Sequence, residues 1–306
     1  MKIKNIYLRS ISVLAIAIIL LFSGCNKKEK EGTNIVDVLS ADSNFSIFVA
    51  ALQQAEISII LEDYGPLTVF APTNAAFDEL FNNLGVAGIE DLSAEVLAPI
   101  LYYHMLNTEV SSNYLYNGYM STLSAGPDLQ AISLLVNATE STLNVDANII
   151  NVDIKASNGV IHIIDKVLLP PTVLDLAKKI GYFTHFVEAV LKADLDLTLS
   201  GAVPYTIFAP IDLAFEDLFT DRGISGIADM TKEELETILN YHIANGNTIY
   251  SDLSTGFKST LNGNIYVEVN SSSVVLNNIA NVIVHDLQGK NGVIHVIDKV
   301  LTPARK

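Results

Sequence analysis

Apolar positions recur along the chain with two different periods. Phe45, Phe48, Val49 and Leu52 fall at i, i+3, i+4 and i+7, which lines one face of a helix, and Phe183, Phe186, Val187 and Val190 repeat that spacing. The stretch Asn158 to Leu168, NGVIHIIDKVL, reads differently: an Asn-Gly turn signal leads into six β-favouring positions. Val160, His162 and Ile164 point to one side, Ile161, Ile163 and Val167 to the other. Apolar residues on both faces predict a strand covered on both sides, with an imidazole carried into or beside the core.

That strand returns as NGVIHVIDKVL, Asn291 to Leu301, with one residue changed. Asp37, Phe45, Phe48, Pro66, Ala71, Pro72, Phe77, Tyr103 and His104 meet Asp175, Phe183, Phe186, Pro204, Ala209, Pro210, Phe215, Tyr241 and His242 at a constant offset of 138. The offset falls to 133 by the closing strand, so the second copy has lost five residues in between. A period this long means two whole domains rather than a solenoid.

Within each copy a short strand (Thr68 to Phe70, Thr206 to Phe208) runs through Ala-Pro into a helix, for which Asn74 and Asp212 are predicted N-caps. A further helix starts at Ser93 and at Thr231, the latter with the capping box Thr231-Lys232-Glu233-Glu234. Leu97, Ile100 and Leu101, and Leu235, Ile238 and Leu239, supply the buried faces, and Pro99 should kink or shorten the first of these helices. Both end at Tyr-His, and Val110 to Asp153 and Thr248 to Asp286 then read as strands and hairpins. Leu169-Pro170-Pro171-Thr172 is a short, stiff joint that predicts a restricted mutual orientation.

The strand-Ala-Pro-helix segment, the Tyr-His pair and the Asn-Gly-Val-Ile-His strand, in that order and found twice, resemble the fasciclin domain. The resemblance implies an α+β fold: two tandem fasciclin-like domains, residues 34–170 and 171–306, each a small wedge-shaped β-sandwich with helices packed along one side. It also implies use in adhesion and in binding proteins or glycans outside the cell.

Half of the 306 residues are hydrophobic, enough for two ordinary cores. Lys2, Lys4 and Arg9 precede the apolar run Ile11 to Phe22, the pattern of a signal peptide over residues 1–24. The run ends in Leu21-Phe22-Ser23-Gly24-Cys25, which resembles the lipobox of bacterial lipoproteins. Cys25, the only cysteine, is then the lipidated mature N-terminus, and residues 25–33 a tether off the bilayer. The expected location is the bacterial cell envelope, with Asn26 after Cys25 compatible with the outer membrane, periplasmic or surface facing. Cleavage removes three of the 18 basic residues and none of the 34 acids, taking the net charge from −16 to −19. With no basic cluster outside the tether, nucleic-acid binding is not expected.

His104, His162, His242 and His295 recur in pairs, one pair per domain. No cysteine or HExxH spacing completes a zinc site, so they are expected to mark the fold by bonding backbone groups, with no metal. Asp153-Ile154 and Asp286-Leu287 each lie five residues ahead of the Asn-Gly turn. The residues alone say that the Asp closes a turn, whereas the resemblance carries over a partner-binding role from some animal fasciclin domains. Tyr114, Tyr116 and Tyr119 share a polar loop, where they either contact a partner or pack an edge. No nucleophile elbow, P-loop or dinucleotide fingerprint is found. The expectation is a non-enzymatic, lipid-anchored adhesion or binding module without cofactor, with a protein or glycan ligand at the cell surface. The alternative is an accessory lipoprotein that captures glycan, haem or another nutrient.

Overall fold

The computed structural model describes residues 32–303, so Cys25 and the leader and most of the tether lie outside the described residues. The first domain begins with three short helices, α1 (Ile35–Ser40), α2 (Ser46–Gln54) and α3 (Ser58–Asp63). Strand β1 (Leu67–Pro72) leads into α4 (Asn74–Leu84), then α5 (Ala94–Tyr103) and β2 (Met105–Leu106). Strands β3 (Gly118–Ala125), β4 (Ala131–Asn137), β5 (Thr142–Leu143), β6 (Ala147–Ala156) and β7 (Gly159–Ile164) complete it. The second domain repeats this with α6 (Val173–Lys179), α7 (Thr184–Lys192), α8 (Asp196–Ser200), β8 (Tyr205–Pro210), α9 (Asp212–Arg222), α10 (Lys232–His242) and β9 (Ile243–Asn245). It closes with β10 (Gly256–Thr260), β11 (Gly263–Val269), β12 (Val274–Leu276), β13 (Ala280–Gly289) and β14 (Gly292–Ile297).

Each domain holds one seven-stranded sheet, ordered β2-β1-β7-β6-β5-β4-β3 and β10-β11-β12-β13-β14-β8-β9. The repeated motif is the strand that pairs in parallel with the Ala-Pro strand, β7 with β1 and β14 with β8. It is covered on both faces. Ile161 packs with Phe48, Leu52, Val69, Phe77 and Leu101 on the helix side, while Ile164 joins Phe70, Tyr103, Leu134 and Val136 on the other. Ile294 and Ile297 divide the same way in the second domain. Gly159 and Gly292 have φ of 153° and 145°, and a Cβ on either would lie 2.0 or 2.1 Å from the carbonyl oxygen of Leu67 or Tyr205. Only glycine lets the parallel pair close at that point.

Two local expectations change. Asn74 and Asp212 are not the caps of α4 and α9; those positions belong to Thr73 and Ile211. Their side chains instead reach the preceding helices, Asn74 Oδ1 accepting from Ile47 N at 3.0 Å and Asp212 Oδ1 from His185 N at 2.8 Å. The reason is that Phe45 and Phe183 occupy the cap positions of α2 and α7, are committed to the core, and offer no acceptor. Pro99 lies within α5, which ends at Tyr103, one residue short of the end of its counterpart α10. Asp153 and Asp286 close no turn, since both sit within long strands, at bulges where φ is 61° and 60°. The capping box at Thr231 forms as read, and Thr172 with Asp175 makes another.

Asn158 and Asn291 do more than start a turn. Asn158 is buried; its Oδ1 accepts from Ile35 N at 2.9 Å, while Nδ2 donates to Leu61 O and, at 3.1 Å, to Tyr64 O. Asn291 repeats this with Val173 N at 2.8 Å, Leu199 O at 2.8 Å and Gly201 O at 2.7 Å. One amide thus ties the first helix, the third helix and the central strand together.

Pro170, Pro171 and Thr172 are buried, and the domains meet along a polar seam. Lys179 Nζ donates to Asn144 O at 2.8 Å and pairs with Asp146 at 3.2 Å. Gln288 N donates to Ser133 Oγ at 3.0 Å, and the side chains of Asn247 and Gln288 bond each other at 3.0 and 3.2 Å. Asn247 also reaches Pro127 O at 3.3 Å, on the connection 126–130 between β3 and β4. In the second domain residues 261–262 alone span that turn, which is where its shortening falls.

Candidate functional site

The two histidines of each domain have distinct local tasks. His104 ends the helix run at α5; Leu168 N–H donates to its Nε2 at 2.9 Å, so its Nδ1 carries the proton and donates to Ile100 O at 2.8 Å. His242 does the same with Leu301 N at 2.9 Å and Ile238 O at 2.8 Å. Burial pushes both imidazoles down to about 4. On the central strands His162 and His295 stack on Phe70 and Phe208, with centroids 5.6 and 5.5 Å apart. Their Nδ1 faces the backbone N–H of Asp153 or Asp286 at 3.4 Å, and Nε2 donates to Val110 O or Thr248 O at 2.9 Å. Both are also shifted downward by burial. Every ring nitrogen of the four therefore has a backbone partner. Among the described residues no three His, Cys, Asp or Glu side chains gather where a metal could be held.

Above each central strand, the bulged Asp turns its carboxylate outward. Asp153 Oδ1 accepts from Ser112 N at 2.8 Å and Oδ2 from Ser112 Oγ at 2.5 Å, bonds that hold the carboxyl below its usual range. They fix the start of the single turn Ser112–Tyr114. Asp286 brackets the equivalent turn through Tyr250 N at 2.7 Å, while Oδ2 meets His285 Nδ1 at 2.9 Å. There Tyr250 lies flat on His285, centroids 4.0 Å apart. The recurring Asp and His, nine residues apart in both copies, were the available signal for this bracket.

The structure sets Tyr114 at the end of the turn that Asp153 holds by Ser112, and gives the other candidates different surroundings. Tyr114, at the end of the bracketed turn, is 77% exposed, and Tyr116 is 53% exposed with its hydroxyl donating to Tyr119 O at 2.9 Å. Tyr119 is no part of an exposed patch: it packs against the core of the second domain, and burial pushes its hydroxyl up. Ile154 packs against the helix-side core of the first domain. Leu287, 2% exposed, is closed off in the second, so a partner cannot touch it. What remains accessible is a loop bearing two tyrosines, its backbone fixed from below by a carboxylate.

Fold and site together define a tandem pair of α+β domains whose recurrent polar groups position loops. The fasciclin domain is matched twice, by residues 43–170 and 181–303, and the chain belongs to the fasciclin domain family. Fasciclin domains are typically adhesion or binding modules. Human periostin is 30% identical over 90% of this chain, which spans 32% of periostin's own length. The fasciclin-like arabinogalactan protein elcF of Phaeosphaeria nodorum is 27% identical, with 88% of each chain covered. A solved fasciclin domain pair from the insect cell adhesion molecule fasciclin I superposes with a TM-score of 0.48 at 20% identity, covering 84% of this chain and 96% of that one.

Proposed function

We propose that the chain is a non-enzymatic, lipid-anchored protein of the bacterial cell envelope that binds a protein or glycan at the cell surface through the Tyr114–Tyr116 loop. The observation that carries this reading is Tyr114, presented at 77% exposure on a turn whose first residue is pinned by Asp153. A rigid aromatic contact loses little entropy when it docks, and the fixed backbone lowers that cost further. In the second domain Asp252 stands where the first has Tyr114, and the turn's one tyrosine, Tyr250, takes the place of Ser112 and lies on His285, so the two loops are not interchangeable.

Replacing Tyr114 and Tyr116 together with Ala is expected to cut recovery of the partner, in pull-downs from native envelope, by about tenfold, with the urea midpoint unchanged. Recovery equal to that of the parent chain would move the contact elsewhere. The anchor rests on Cys25 and its lipobox-like surroundings; among the described residues no helix is long and apolar enough to cross a membrane. Several acyl chains at about 0.8 kcal/mol per buried methylene give permanent attachment. Cys25→Ala should therefore shift the protein from the membrane pellet to the soluble fraction; undiminished pelleting would remove the anchor from the proposal.

A further inference from the structure

At the seam between the domains a cleft of roughly 250 Å³ opens beside the tyrosine loop, walled by the start of β3, the end of β4 and the last turn of α6. The first domain departs from the second at the positions that shape it. Among the described residues the hydroxyl of buried Thr142 has no partner, where the second copy places Val275. An orphaned hydroxyl is worse for stability than the isosteric methyl, so the fold does not ask for it. Val145 is held at a φ of 77°, a region β-branched residues rarely enter, and is 56% exposed, whereas the second copy uses the more tolerant Asn278 at 60°.

The remaining polar groups keep unused capacity. Asn137 and Glu140 bond each other reciprocally at 3.0 Å, which leaves one amide N–H and one carboxylate oxygen free. Lys179 spends two N–H groups on Asn144 and Asp146 and retains a third. Leu135 and Val145 give an aliphatic wall between them. Donors and acceptors thus alternate around an apolar surface.

We propose that this seam cleft binds one neutral sugar residue, its C–H face on Leu135 and Val145 and its hydroxyls on Asn137, Glu140, Lys179 and, after a χ1 turn, Thr142. The assignment rests on reading the chain as a binding protein. An anionic sugar is disfavoured because the charge of Lys179 is spent on Asp146 at 3.2 Å and Glu140 adds a negative one, on a chain of net charge −16. The volume is below the roughly 300–1,000 Å³ of sites for drug-sized ligands, so the cleft is too small for a haem.

The test titrates the full chain with methyl β-glucoside, methyl β-galactoside, methyl α-mannoside and N-acetylglucosamine, and with glucuronate as the charged comparison, following amide shifts. At least one neutral sugar should shift the Asn137 side chain and Val145 saturably, with glucuronate about tenfold weaker. Thr142→Val and Val145→Asn should each weaken that sugar about tenfold while leaving the urea midpoint unchanged or raising it, a combination that loss of fold cannot produce. No saturable shift from any neutral sugar up to about 100 mM, or full affinity in both variants, overturns the assignment. If envelope pull-downs still depend on Tyr114 and Tyr116 while the sugars are silent, the cleft proposal fails and the proposed function stands.

Discussion

Asn158→Ala is expected to destabilise the first domain by about 3–5 kcal/mol, and Asn291→Ala the second by as much. Each removes three bonds to backbone groups, two of them buried and the third part-buried, and a buried donor or acceptor left unmet costs about 1–3 kcal/mol. For Asn158 the orphans are Ile35 N, Leu61 O and Tyr64 O. That is a large share of the roughly 5–15 kcal/mol a domain has in total. Asn158→Asp keeps the acceptor for Ile35 but sets a carboxylate against two carbonyl oxygens, and should be no milder. The measurement is urea unfolding combined with hydrogen exchange, in which the Ile35 amide (Val173 for Asn291→Ala) loses its protection first. A loss under about 1 kcal/mol with that protection intact would mean water replaces the amide and the hub does not hold the helices.

Acid should weaken the protein well before its carboxylates titrate. His104 and His242 are neutral in the fold, with values pushed down to about 4, against about 6.5 in the unfolded chain. Between those values the unfolded state binds more protons, so stability is full above about pH 6.5 and falls until about pH 4. At 1.36 kcal/mol per unit, each histidine removes about 3 kcal/mol over that window. Burial shifts His162 and His295 the same way and steepens the slope. Urea midpoints from pH 7.5 to 4.5 should drop steadily, with proton uptake on unfolding. Folded-state imidazole resonances of His104 or His242 that titrate near 6.5 would contradict this.

The sequence made visible whatever is written locally or repeated. The doubly covered strand shows in the alternation of Val160, Ile161 and Ile164, and the capping box at Thr231 in four consecutive residues. Asn74 and Asp212 were misplaced because their acceptors serve a helix 27 residues earlier, which only tertiary packing decides. For the same reason Asn158 read as a turn residue while its partners lie 94 to 123 residues away. The site was half legible. Recurrence singled out Asp153 and Asp286 but not that they pin a turn, and composition grouped Tyr119 with Tyr114 although a neighbouring domain covers it. Thr142 and Val145 carried no signal until their counterparts, Val275 and Asn278, could be set beside them in three dimensions.

Where the second domain offers the uncharged amides of Asn247 and Gln288 to its neighbour, the first domain has Glu109 and Lys155, ion-paired at 2.8 Å and open to water. Covering that pair with another such junction would strip hydration from two charges, a cost their mutual attraction does not fully offset. A second copy docking there as the two halves of one chain dock on each other would carry that cost.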